Sequence, residues 1–202
     1  MALFFVASCT PVAPTKTSAE PEKPVKISSI AVLPPETPID QKQKNDQSAN
    51  RIKTGRAVLT RLLAEYFHDM GNVQLISQSE QEGVPIDITG SREALARKMG
   101  KELGNDAVMT STIIRYVPFN ASESQLASAA FDYRLIAVDT GQVLCSGSFN
   151  ETQQVLSDNI LSLRKAFSRK FKWLTAEELL REGLHDKLDK CFYLRRPPKT
   201  AP

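Results

Sequence analysis

Apolar and polar positions along this chain fall into blocks whose spacing switches between strand-like and helix-like. Ile27 to Leu33 is a short apolar run closed by Pro34-Pro35, which reads as a buried strand. Glu36 to Ser48 is polar and reads as a loop, with Gln41 to Gln47 at its centre. From Ala49 to Met70, the apolar residues Ile52, Leu59, Leu62, Leu63, Tyr66, Phe67 and Met70 recur at helical spacing. Gly71-Asn72 is expected to end that helix as a left-handed cap, with His68 suited to its negative end. Val73 to Ser77 reads as a second strand, and Glu82 to Gly90 as a loop. Ser91 is placed to cap a helix running to Leu103, with Leu95, Met99 and Leu103 on one face and Gly104-Asn105 as its stop.

The second half changes period. Asp106 to Val117 is rich in β-branched residues and reads as a strand that Pro118 interrupts. Beyond a polar tip, Phe119 to Ser124, a long strand runs from about Gln125 to Val138. In it Phe131, Tyr133, Leu135 and Ala137 alternate with Asp132 and Arg134, the mark of a sheet with one wetter face. Asp139-Thr140-Gly141 is a tight turn, and Gln142 to Phe149 returns as its hairpin partner. A helix over Ser157 to Lys170 follows, with Leu156, Ile160, Leu163 and Phe167 on one side. Thr175-Ala-Glu-Glu178 is a capping box opening a last helix through Leu179, Leu180, Leu184 and Leu188, with Gly183 a weak spot in it. The order β-α-β-α-β-β-β-α-α predicts a mixed α/β sheet of about five strands with helices packed on it. Its first β-α-β unit should cross over right-handed into a parallel pair.

Composition adds a layout. The chain has 202 residues, 41% hydrophobic and 24% charged, with a net charge of +3 that is too weak to argue for nucleic acid. Leu3-Phe4-Phe5-Val6 is apolar and runs into Ala7-Ser8-Cys9, the way bacterial lipoprotein signals end. It lacks a basic region and is shorter than the usual apolar core of about 7–15 residues, so a start upstream of Met1 is expected. Cys9 is the expected lipidation site, within a truncated signal at residues 1–9. Thr10 to Lys26, with Pro11, Pro14, Pro21 and Pro24, reads as a tether because it holds too little apolar surface to offset its ordering entropy. A single domain is expected over 27–194, then a disordered basic tail over 195–202. Thr10 after the cysteine favours the periplasmic side of the outer membrane. If Cys9 is lipidated, Cys145 and Cys191 are left either to bridge or to stay as buried thiols.

Several segments together resemble a known group. Ile30-Ala-Val-Leu-Pro34, the long helix beginning near Gly55, Glu102-Leu-Gly-Asn-Asp-Ala-Val108 and Tyr133-Arg-Leu-Ile-Ala-Val-Asp-Thr-Gly-Gln-Val-Leu144 come in its order. They look like the envelope lipoprotein superfamily that holds the N-terminal domain of TolB, the curli secretion channel lipoprotein and the lipoprotein activators of penicillin-binding proteins. The resemblance covers Ile27 to Asn150, with Asn105 where many members have Ala and Cys145 where many have Trp. It implies an α/β domain that works by protein contact in the cell envelope.

Catalytic signals are scarce. The two histidines are far apart in sequence, and there is no Cys-x-x-Cys, no phosphate-binding glycine loop and no nucleophile elbow at Cys145-Ser-Gly-Ser148. The expectation is therefore not an enzyme, with no cofactor and no metal. It is a lipid-anchored periplasmic binding or assembly accessory protein, with a peptidoglycan synthase or similar machine as partner. The alternative is a subunit of a curli-type outer-membrane secretion pore, which would need membrane-spanning hairpins. The expected partner-binding residues are exposed: the loop Gln41 to Gln47, Phe119 at the hairpin tip, and the basic face Arg164, Lys165 and Arg169. Interface anchors are commonly aromatic or Arg.

Overall fold

Strand β1 (Ile30–Val32) is wholly apolar and buried, which requires cover on both faces and neighbours on both edges. The computed structural model describes residues 26–38, 46–84, 91–122, 124–153 and 174–196. In it β1 is flanked by β2 (Val73–Leu75) and β3 (Ala107–Val117), both parallel to it, with Ile30 opposite Val73 and Ala107. β4 (Ser128–Ala137) and β5 (Val143–Thr152) continue the sheet antiparallel, giving the order β2-β1-β3-β4-β5. The mixed five-stranded α/β sheet expected from the periodicity is the observed one.

Two apolar layers hold the sheet. On one face α1 (Asp46–Phe67) and α4 (Ala176–Leu188) bury Leu59, Leu62, Leu63, Phe67, Leu179, Leu180 and Leu184 against Met109, Ile113, Phe131, Tyr133 and Leu135. On the other, α3 (Arg92–Glu102) presses Ala96 and Met99 onto Ala31, Val108, Ile136 and Val138. Close approach is set by small residues: a Cβ at Gly100 would lie 2.6 Å from a Val138 methyl. Across the outer surface Glu65 receives both Arg61 of α1, at 2.6 Å, and Arg181 of α4, at 2.5 Å. These two hydrogen-bonded guanidiniums, Arg181 first, hold its carboxyl below the ordinary range.

Caps follow the sequence where polar side chains sit beside free N–H groups. Ser91 caps α3, and Thr175 and Glu178 form the capping box of α4. α3 ends with Gly104 at φ +69°, its N–H bonded to Lys101 O and that of Asn105 to Gly100 O. That pattern is a Schellman stop.

Several boundaries differ from expectation. α1 begins at Asp46, so Asp46, Gln47 and Ser48 belong to its first turn rather than to a loop. Asp46 there complements the dipole. α1 ends at Phe67 through turns in which Met70 N–H bonds Phe67 O and Val73 N–H bonds Met70 O. Among the described residues positive φ occurs at Gly104, Gly141 and Ser124, so Gly71 is not a left-handed cap. The second strand stops at Leu75 because Ser77 and Glu80 form a capping box for a short helix, α2 (Gln78–Gly83). The long strand is trimmed to Ser128–Ala137. The helix expected over 157–170 lies outside the described residues.

Candidate functional site

The C-terminal segment is tied down by a cluster that begins with Tyr66. α1 delivers this tyrosine into the core at 4% exposure, where an unbonded hydroxyl would be costly. Its Oη donates to Asp189 Oδ1 at 2.6 Å and lies 3.2 Å from Leu194 O. Burial first, and then the Asp189 carboxylate, raise the phenol's pKa far above its usual value. Arg196 lies over the Tyr66 ring, 4.8 Å from its centroid, and points Nη2 at His185 Nδ1 at 2.7 Å. A guanidinium only donates, so Nδ1 must accept and the imidazole is neutral. The Asp189 carboxylate, 3.9 Å from that same nitrogen, is too far to hydrogen-bond it. Burial, with Arg196 next, holds the His185 pKa below its ordinary 6.5.

Beside this cluster Cys145 of β5 and Cys191 form a disulfide across 46 positions. Cys191 is buried, and Leu194 behind it is fully buried. Arg195 stacks over the Phe192 ring at 4.8 Å. Arg195 and Arg196, expected to open a disordered tail, are thus engaged by rings and by His185.

The second polar concentration lies on the wetter sheet face beyond α3. A cleft of about 250 Å³ runs between Glu36, the start of α3 and the outward residues of β3 and β4. Arg92 pairs with Glu36 at 3.3 Å, and Arg134 pairs with Glu93. Register places Thr112 beside Asp132 and Thr110 beside Arg134. Asp132 Oδ1 is shielded and has no hydrogen-bond partner, and the same holds for Arg115 Nε further along β3. A bulge at Ile113/Arg115 turns Arg115 onto this face, where its Nη2 reaches Asn150 Oδ1 on β5 at 2.5 Å.

The expected site residues scatter. Cys9 and the basic residues Arg164, Lys165 and Arg169 lie outside the described residues, as do Gln41 to Asn45 of the polar loop. Phe119 is 47% exposed, just past β3, on a tip closed by the Asn120 and Gln125 bridge. His68 is exposed beside Asp69. Sequence reasoning missed the Tyr66, Asp189, His185 and Arg196 cluster, since its members are up to 130 positions apart and carry no motif. For the cleft, the alternation of Asp132 and Arg134 was the available signal. Among the described residues no group of three His, Cys, Asp or Glu is placed to hold a metal ion, and no helix is long and apolar enough to cross a membrane.

Fold and surface define a three-layer α/β domain with a disulfide-fastened C-terminal segment. No family model matches the chain, and no curated protein matches it. Among solved structures it is similar to the PelC dodecamer of Paraburkholderia phytofirmans, at 13% identity, 78% of this chain, 85% of that one and a TM-score of 0.42. It is also similar to lipoprotein GNA1162 of Neisseria meningitidis, at 20% identity, 71% and 95% coverage and a TM-score of 0.35. A third likeness is to the LpoB C-terminal domain of Salmonella enterica, at 19% identity, 64% and 86% coverage and a TM-score of 0.37. No residue role passes from these structures to this chain.

Proposed function

We propose that the protein is a lipid-anchored module of the bacterial cell envelope that acts by binding another envelope protein and not by catalysis. The observation that carries the reading is the Cys145 and Cys191 disulfide, because structural disulfides persist in oxidising compartments such as the periplasm. Val6-Ala7-Ser8-Cys9 and the Pro-rich stretch behind it add an anchor and a spacer. Tethering raises the effective concentration of a weakly binding domain near its target, which lowers the affinity the contact needs, and Phe119 is the exposed aromatic anchor we assign to it. The partner class we infer is a peptidoglycan synthase. Expression behind a full secretory signal tests the location: the wild type should carry lipid on Cys9 and fractionate with membranes, and Cys9→Ser should be released. Crosslinking in intact cells should then enrich a penicillin-binding protein, and Phe119→Ser should reduce that yield while the domain stays folded in a melting curve run beside the wild type. An unlipidated wild type sinks the anchoring, and a yield unchanged in Phe119→Ser sinks that surface.

A further inference from the structure

The sheet has two ends, and they differ. β1, β2 and β3 all start at the end where Lys26 enters the domain, because Ile30 stands opposite both Val73 and Ala107. β4 finishes and β5 starts there too, with Ala137 opposite Ala107 and Val143 opposite Ile136. From that end β3 runs eleven residues toward Phe119, a distance of roughly 35 Å at the rise of an extended strand. Phe119 and Lys26 therefore mark opposite poles.

At the Lys26 pole lies the most exposed large apolar side chain among the described residues, Phe192 at 64%. It rims a broad depression of about 730 Å³ that includes Met70, Asn72, Tyr193, Arg195 and Arg196, with Asp69 as its acid. Asn72 ties this surface to the point of entry, since its carbonyl accepts from Ile30 N–H at 2.9 Å, four residues after Lys26. Phe192 is not loose: Tyr193 meets its ring edge-on at 5.3 Å and the Arg195 guanidinium lies over it. The arrangement presents a fixed aromatic ring with a guanidinium beside it, outward, where the chain from Cys9 arrives.

We propose that this surface, Phe192 with Arg195, rests on the phospholipid headgroup layer to which the chain is anchored, leaving the Phe119 pole pointing away. The proposal rests on the anchoring reading above. The sixteen residues between Cys9 and Lys26 span at most about 55 Å when fully extended, and because they join the domain at Lys26, contact at this pole asks no extension of them, whereas contact at the Phe119 pole asks for the length of the sheet. A Phe ring set into the headgroup and acyl boundary, with an Arg whose apolar stem can lie flat while its head meets phosphate, is a pairing that surface-bound membrane segments use. Negative headgroups add attraction for Arg195, which salt weakens.

The experiment uses the full lipidated chain, its lipid confirmed by mass spectrometry, in vesicles of phosphatidylethanolamine and phosphatidylglycerol carrying brominated phospholipid as quencher. Trp173 is the chain's one tryptophan, so Trp173→Phe gives a silent background for Phe192→Trp or Phe119→Trp. Phe192→Trp emission should be quenched several-fold more than Phe119→Trp emission. Adding Arg195→Glu, raising salt or omitting phosphatidylglycerol should reduce the difference. Equal quenching at both positions, or none at 192, overturns the proposal. So does Phe192→Trp emission already shielded from aqueous iodide before vesicles are added, which means that the chain itself or a second copy covers the surface. An unlipidated chain sinks the anchoring reading and this proposal with it, whereas a lipidated chain with no quenching at 192 sinks this proposal alone.

Discussion

Gly183 of α4 sits directly against the ring of Phe149 on β5: a Cβ built at Gly183 would lie 2.5 Å from Phe149 Cγ. The residue that looks like a weak spot in a helix is a point of close approach between α4 and β5. Gly183→Ala gains up to about 1 kcal/mol of helix propensity but forces an overpacked contact, typically about 1–3 kcal/mol. A net loss of roughly 1 kcal/mol in urea denaturation is expected. Gly71→Ala, with nothing within 4 Å of its Cβ, is the control and should change stability little.

Tyr66→Phe removes the proton donated to Asp189 Oδ1 while keeping the buried ring. Asp189 is exposed enough to regain water, so the expected cost is about 1–2 kcal/mol. Faster amide exchange at Leu194 and Arg195, whose N–H groups bond Cys191 O, should accompany it. Unchanged exchange there would mean that the disulfide alone holds the segment.

The neutral His185 gives stability a pH signature. Its folded-state pKa lies below 6.5, so the unfolded chain binds the extra proton more readily. Stability contributed by this group is present above pH 6.5 and declines as pH falls from there toward the folded pKa. Facing it, Arg196 and Arg181 oppose protonation and Asp189 favours it. In His185→Gln the slope of stability against pH just below 6.5 should flatten, while the steeper loss at carboxylate pH, from groups such as Glu65, should remain.

Reducing the Cys145 and Cys191 bond frees a loop closed across 46 positions. The chain-entropy estimate for such a loop is about 4 kcal/mol. The reduced or Cys145→Ser/Cys191→Ser protein should unfold at markedly lower denaturant, and thiol counting on unreduced, denatured wild type should find neither cysteine free.

Local chemistry made much of the architecture readable. The helical spacing from Ile52 to Phe67, the Thr175 and Glu178 box, and the stop at Gly104 each depend on neighbours within a few positions. The alternation from Phe131 to Leu135 named the two sheet faces. What failed was equally physical. Ser77 and Glu80 form the same kind of box as Thr175 and Glu178, but the strand pattern from Val73 runs into Ser77, the first residue of that box. Arg196 looked like frayed charge because its partners, Tyr66 and His185, arrive from two separate helices. No window of sequence contains all three. Sequence left the bridge open as well, since two cysteines state neither their distance nor the angle at which β5 meets the segment after α4.

How the chain enters the domain also decides how the domain bears tension. Asp106 Oδ2 grips the Ser28 and Ser29 N–H groups at 2.7 and 3.0 Å, and β1 behind them is bonded to a parallel neighbour on each side. A pull through Lys26 against a partner held at the Phe119 pole runs along the strands. In that direction β1 cannot be peeled away one bond at a time, because Ile30, Leu33 and the grip of Asp106 are loaded together. The short interior strand is thus loaded in shear, so that its hydrogen bonds share the force instead of meeting it in turn.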